Sequence, residues 1–157
     1  MIHVVLVSPE IHWNTGNIGR TCLAAGAQLH LVRPLGFSLS EKEVRRAGLD
    51  YWDRVSPREW MSWEELEPNL GSLGRPWFFS TKAEGELWDA DLTNDPVLIF
   101  GSETKGLPSS LHDRFTDRFL RIPQRGDGEV RSLNLSTAAA IAIYEALRQS
   151  RATVTRP

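Results

Sequence analysis

The side chains best suited to hold a ligand gather in Ser132-Leu-Asn134-Leu-Ser136-Thr137, just ahead of a long alanine-rich stretch. One of them would cap the helix that follows. A helix needs one cap, not four polar side chains around a loop, so the surplus suggests a ligand. A second polar group lies in Asn14-Thr-Gly-Asn-Ile-Gly-Arg20, at the start of another helical pattern. On that wheel Arg20 falls roughly 200° from Ile18 and points away from the core. A cation near a helix N-terminus opposes the macrodipole, and a guanidinium beside free backbone N–H groups makes a phosphate site. An ordinary solvated arginine satisfies the same spacing. Lys42, Arg45 and Arg46 form the densest other basic patch, which as charge alone is more often a solvated face than a binding site.

Several chemistries are excluded. Gly101-Ser-Glu-Thr-Lys-Gly106 copies the interval of a phosphate loop, but Leu107-Pro108 stand where Lys and Ser or Thr are required. No Gly-x-Gly-x-x-Gly follows the first strand, which argues against an ordinary dinucleotide fold. Gly101-Ser102 lacks the frame of a nucleophile elbow. His3, His12, His30 and His112 show no metal-ligand spacing and read as structural or exposed. No metal is expected.

The elements that must carry these groups alternate. Val4 to Val7, Leu29 to Val32, Trp77 to Ser80 and Val97 to Phe100 read as strands. Asn14 or Thr15 would cap a first helix with Ile18, Cys22 and Ala25 buried and Gly26 as its stop. Ser40-Glu-Lys-Glu43 and Ser62-Trp-Glu-Glu65 are capping boxes, the first opening a helix that Gly48 stops, the second starting a short helix through Leu66 to Leu70. A turn of helix is expected around Leu87 and Trp88. From Ser136 onward, Ala138, Ala139, Ala142, Ile143, Ala146 and Leu147 make one buried face, small enough for another backbone to approach. Arg125-Gly-Asp-Gly128 reads as a turn. The fold class is therefore α/β with a mainly parallel sheet. Ligands bind beyond the carboxyl ends of such strands, so Asn14–Arg20, Ser80–Lys82, Gly101–Gly106 and Ile122–Asn134 should share one edge.

Composition bounds the reading. A chain of 157 residues, 41% hydrophobic, suffices for one domain with one core. A lone Cys22 excludes an internal disulfide and fits a reducing compartment. Met1 to Val7 reads as a first strand, not a signal peptide, and no apolar run approaches membrane-spanning length. A cytoplasmic location is expected. With a net charge of -2 and a pI near 6.1, any RNA-binding surface must be local.

Three ordered segments carry a resemblance: Asn14-x-Gly-x-Ile-x-Arg20; Phe100-Gly-Ser-Glu103-x-x-Gly106-Leu-Pro; and Ile122-Pro123 followed by Ser132-Leu-Asn134-Leu-Ser136. Together they resemble the motifs of the SPOUT superfamily of RNA ribose 2'-O-methyltransferases. Pro9-Glu10, Arg45 to Tyr51 and Tyr144-Glu-Ala are similar to its small members that act on the wobble nucleotide of tRNA, and the likeness covers nearly the whole chain. His12-Trp13 departs from it, standing where many members have prolines, and Gln124 to Val130 is idiosyncratic.

The resemblance implies helices on both sheet faces, a C-terminal trefoil knot, S-adenosylmethionine as cofactor and a homodimer with the site at its interface. Residues 1–157 would be a single methyltransferase domain without a separate RNA-binding extension. The substrate would be the anticodon stem-loop of tRNA, methylated at the ribose 2'-hydroxyl of cytidine or a modified uridine. By position, Phe79, Gly101, Ile122 and Ser132 would line the cofactor pocket. Arg20, Asn14, Glu103, Asn134 and Tyr144 would form the catalytic group, with Asn14 orienting Arg20, and Arg20, Arg45, Arg46 and Arg148 would meet RNA. A guanidinium is a poor base, so Arg20 would clamp a phosphate and polarise the hydroxyl. Tyr144, off the buried stripe, would touch substrate or pack at an interface. Two other functions stay open: a member acting on another tRNA position or on ribosomal RNA, and a non-catalytic RNA-binding protein.

Overall fold

The computed structural model describes residues 1–46 and 49–152. Their order is β1 (His3–Val7), α1 (His12–Ala25), β2 (Gln28–Val32), α2 (Glu41–Arg46), α3 (Trp52–Val55), β3 (Arg58–Trp60), α4 (Trp63–Leu66), α5 (Leu70–Leu73), β4 (Arg75–Phe79), β5 (Gly85–Glu86), β6 (Pro96–Phe100), α6 (Ser109–Arg114), β7 (Phe119–Arg121) and α7 (Leu135–Ala152). Seven strands form one sheet in the order β3-β2-β1-β6-β4-β7-β5. Every pairing is parallel.

Parallel strands covered on both sides read as continuous apolar runs, because alternate side chains enter two different cores. Val4, Leu6, Leu29, Leu31, Leu98 and Phe100 face one core, where Ile18 and Cys22 of α1 meet Ala139, Ala142, Ile143 and Ala146 of α7. The small α7 residues are thus where α1 approaches. Val5, Val7, Val32, Phe78, Val97 and Ile99 face the other, closed by Leu66 of α4, Leu70 of α5 and Leu111 of α6. Helices cover both faces.

Most expected strands and turns stand within a residue or two of their sequence positions. The 3-10 turn Leu87–Asp89 is where a turn of helix is expected. Gly26 closes α1 in a left-handed conformation (φ 68°), its N–H directed at the Cys22 and Leu23 carbonyls. Ser40 Oγ accepts the Glu43 N–H at 3.4 Å and Ser62 Oγ the Glu65 N–H at 3.2 Å, as capping boxes should. The second helix does not end at Leu70: a 3-10 turn at Glu67–Asn69 leads into α5. The expected stop at Gly48, with Ala47, lies outside the described residues. One expectation fails outright. Neither Asn14 nor Thr15 caps α1, which begins at His12 with Ile11 in the cap position and no side-chain cap from its own sequence; both are buried inside its first turns.

His3 and His30, expected to be structural or exposed, form a relay across β1 and β2. The Trp60 indole N–H donates to His30 Nδ1 at 3.1 Å, and His30 Nε2 lies 3.0 Å from His3 Nδ1. With Nδ1 accepting, neutral His30 carries its proton on Nε2 and donates it to His3. A protonated His30 would turn a second N–H toward the indole. Burial, reinforced by His3 and Arg58, holds its pKa down to about 4. A depressed folded-state pKa means the unfolded chain binds the proton first as pH falls, so stability is full above about 6.5 and drains away between there and about 4. Denaturant midpoints measured from pH 8 to pH 4 should fall across that window, and His30→Gln should flatten the fall.

Candidate active site

The loops after β1, β4, β6 and β7 meet at the carboxyl edge of the sheet around an open cleft of about 1280 Å³. Phe79, Gly101, Ile122 and Ser132 all line it, with Asn14, Glu103 and Asn134. Members of all four segments expected at one edge are present. The cleft opens where strand order reverses, between β1 and the β6–β4 pair, the usual ligand position in open parallel sheets.

Glu103 anchors the rim. Its carboxylate accepts the Glu10 N–H at 2.7 Å, the Ile11 N–H at 3.1 Å and the Asn14 amide at 3.3 Å. These backbone donors belong to the two residues just ahead of α1, Ile11 being its cap position, so the helix entrance is tied down by an anion 92 residues from Ile11. The clamp is reciprocal: the Glu10 carboxylate accepts the Thr104 N–H at 3.2 Å and its hydroxyl at 2.6 Å. Those bonds hold the Glu10 carboxyl below its ordinary pKa.

Asn14 continues the chain of bonds. Its Oδ1 accepts the Asn134 amide at 3.1 Å, and Asn134 Oδ1 accepts the Ser136 N–H at 2.9 Å and hydroxyl at 2.6 Å. Asn134 is therefore the side-chain cap of α7. Two of the four polar groups around that helix entrance are consumed by the cap. Ser132 is exposed at the cleft with no partner among the described residues.

The walls follow from backbone and ring packing. Phe79 stacks on Phe100 with centroids 4.6 Å apart and planes 12° from parallel. Gly101 is obligatory: a Cβ there would sit 2.1 Å from the Gly106 carbonyl carbon. The loop it opens folds back tightly, with the Gly106 N–H on the Ser102 carbonyl at 2.9 Å.

Arg20 and Tyr144 are exposed and do not line the cleft of their own chain. The Asn14 amide bonds Glu103 at one end and Asn134 at the other, and no bond from it to Arg20 occurs among the described residues. Arg20 lies beside Tyr51, whose hydroxyl donates to the Gly16 carbonyl at 2.9 Å. Burial raises the Tyr51 pKa and the Arg20 guanidinium opposes the rise. Sequence reading quoted Tyr51 within a motif but assigned it no contact. Arg148 makes two bonds to Glu145 along α7, at 2.9 and 2.8 Å. Arg46 lies 3.8 Å from Glu43. The Arg45 side chain lies outside what the structure describes. No group of metal-ligating side chains occurs among the described residues, and none of their helices is long and apolar enough to cross a membrane.

Residues 1–144 match the SpoU rRNA Methylase family. The chain belongs to that family. A Bacillus subtilis (strain 168) relative, provisionally named a tRNA (cytidine(34)-2'-O)-methyltransferase, is 49% identical over 152 residues, covering 94% of this chain and 92% of its own. A solved structure concerned with 2-OH methylation of C/U34 on tRNA superposes with a TM-score of 0.88 at 44% identity, over 97% of each chain. The SpoU methyltransferase AviRb from Streptomyces viridochromogenes, solved in complex with AdoMet, superposes at 0.79 with 25% identity, over 98% of this chain and 58% of its own. This SpoU-family cleft therefore has its rim tied by one carboxylate. Replacing it by Glu103→Gln removes the charge and turns an amide N–H toward backbone donors, so stability should fall by about 1.5–3 kcal/mol in denaturant titration.

Proposed function

We propose that this chain transfers a methyl group from S-adenosylmethionine to the ribose 2'-hydroxyl of the wobble nucleotide in the tRNA anticodon loop. One observation carries the reading: Asn14, Glu103 and Asn134, from three separate motifs, are bonded in series at the rim of the cleft that Phe79, Gly101, Ile122 and Ser132 line. The names of the relatives supply the substrate, and the family supplies the reaction class.

The cleft suits the donor chemically. Leu120, Ile122, Leu133, Leu135 and Ala138 offer an apolar wall for a purine ring, while Ser80 and Ser132 offer polar partners. Bound there, S-adenosylmethionine supplies a methyl group on a sulfonium. The protein's part is to hold the ribose oxygen in line with that methyl and ease proton loss. Fixed orientation contributes up to about 7–11 kcal/mol. The Glu103–Asn14–Asn134 series of bonds keeps the loops after β6 and β7 in register with α1. Arg20 remains exposed and without an ion pair among the described residues, free to grip an RNA phosphate and polarise the hydroxyl. Arg46 adds to the basic surface.

Arg20 and Tyr144 stand outside the cleft of their own chain, so the reading includes a homodimer that brings them to the partner's cleft. It also includes the C-terminal trefoil knot, for which the glycine-containing Ile122–Asn134 loop and the small α7 residues are suited. The 157 residues act as one methyltransferase domain, in the cytoplasm where tRNA is modified.

Methylation of bulk tRNA with labelled donor, followed by mapping, should place the label on the wobble ribose. Label elsewhere on tRNA or on ribosomal RNA reassigns the substrate. Arg20→Ala should abolish transfer while calorimetric cofactor affinity stays near wild type, and tRNA affinity should fall steeply with salt because phosphates are contacted.

A further inference from the structure

The cleft at the carboxyl edge of the sheet carries a charge opposite to that of the chain. Lys82, Lys105 and Arg131 line it against a single carboxylate, Glu103, while the whole sequence has a net charge of -2. Glu103 is already engaged by three donors. The cations come from three loops, after β4, β6 and β7, so sheet topology gathers them and no basic run in the sequence announces them. All three are exposed, and none has an ion pair among the described residues. Arg33, Arg75, Arg114, Arg121 and Arg148, by contrast, each have an acidic partner. Lys105 adds its field to the Thr104 bonds that hold the Glu10 carboxyl down, without pairing with it. The backbones of both lysines are fixed locally: the Lys82 N–H donates to Ser80 Oγ at 3.2 Å and the Lys105 N–H to Ser102 Oγ at 3.3 Å.

We propose that Lys82, Lys105 and Arg131 grip the RNA phosphates on either side of the nucleotide whose ribose enters the cleft. The inference rests on the proposed function and deepens it. The methyl donor does not account for these cations. It carries a sulfonium and an ammonium against one carboxylate, so it is itself cationic, and a cleft lined by one sign of charge concentrates the opposite sign. The cleft is also larger than one small molecule needs, about 1280 Å³ against roughly 300–1,000 Å³ for a small-molecule site. The space beyond the apolar wall thus suits a nucleotide, and the free cations suit its phosphates. Arg131 can meet two phosphate oxygens at once, whereas the lysines act as point charges. Such contacts fix the register of the RNA without reading its sequence.

The test is binding of an anticodon stem-loop RNA, by fluorescence polarisation, over about 50–200 mM salt. Lys82→Gln, Lys105→Gln and Arg131→Gln should each weaken binding and lower the log–log salt slope by about 0.7–0.9, and the triple variant should lower it by about two. Arg75→Gln removes the same charge at the amino end of β4, away from the cleft, and should leave the slope unchanged. Calorimetric affinity for S-adenosylmethionine should hold in all of them. In turnover the loss should appear in KM for the stem-loop more than in kcat. A triple variant with the wild-type slope overturns the proposal. So does Arg75→Gln lowering the slope as much as a cleft variant, or a loss of donor affinity matching the loss of RNA affinity. Failure to label the wobble ribose overturns the functional reading instead, because the salt comparison does not require methyl transfer.

Discussion

A single carboxylate at the mouth of a helix ties together the parts of this protein that face the cleft. Glu103 stands at the entrance of α1, accepting the backbone N–H groups of Glu10 and Ile11 just ahead of it and the Asn14 side-chain amide. An anion is favoured there by the exposed N–H groups and the helix dipole alike. Its charge also sets the direction of every bond that follows. With its NH2 turned to Glu103, Asn14 must present oxygen to Asn134, and Asn134 in turn keeps its own oxygen for the start of α7. Flipping either amide sets donor against donor. The arrangement therefore holds as a unit, and three loops keep their mutual positions because one acidic group orders them.

The sheet determines where that unit lies. Parallel strands bring successive carboxyl ends to one edge, and the reversal of strand order beside β1 leaves room there that no crossover fills. Gly101 lets the chain turn back on Gly106 at a separation no side chain would permit, which places Glu103 beside the start of α1. The Phe79–Phe100 stack stiffens the floor. Sheet topology thus provides a site-shaped opening, and the carboxylate fixes its rim.

Much of this was legible in the sequence. The apolar runs of β1, β2, β4 and β6 and the small-residue face of α7 announce themselves because each is locally consistent. The convergence of four loops followed from parallel topology alone. Missing were β3 and β5, of three and two residues, which are too short for any period and exist only by pairing with a neighbour; β7, also of three, was implied by the loop after it but given no bounds. The cap of α1 was misassigned for a related reason. Asn14 and Thr15 have the composition of caps, but the anion that serves comes from another part of the chain, and long-range bonds leave no local spacing. The relay of Asn14 to Asn134 was equally invisible: each residue was singled out, yet their contact across 120 positions was not.

The position of Arg20 follows from the same helix. Six residues separate it from Asn14, or roughly 9 Å along the axis. α1 is also held in place, since Gly16 is packed so closely on Leu49 that a Cβ would lie 2.7 Å from its nearest methyl, and Tyr51 bonds the Gly16 carbonyl alongside. One end of a rigid bar is thus held at the cleft by Glu103, while the other holds an exposed guanidinium outside it. A small molecule confined to the cleft would gain nothing from that guanidinium. A polyanion draped across α1, or a second copy whose cleft faces it, would meet both ends at once, and this division fits a substrate larger than its cofactor.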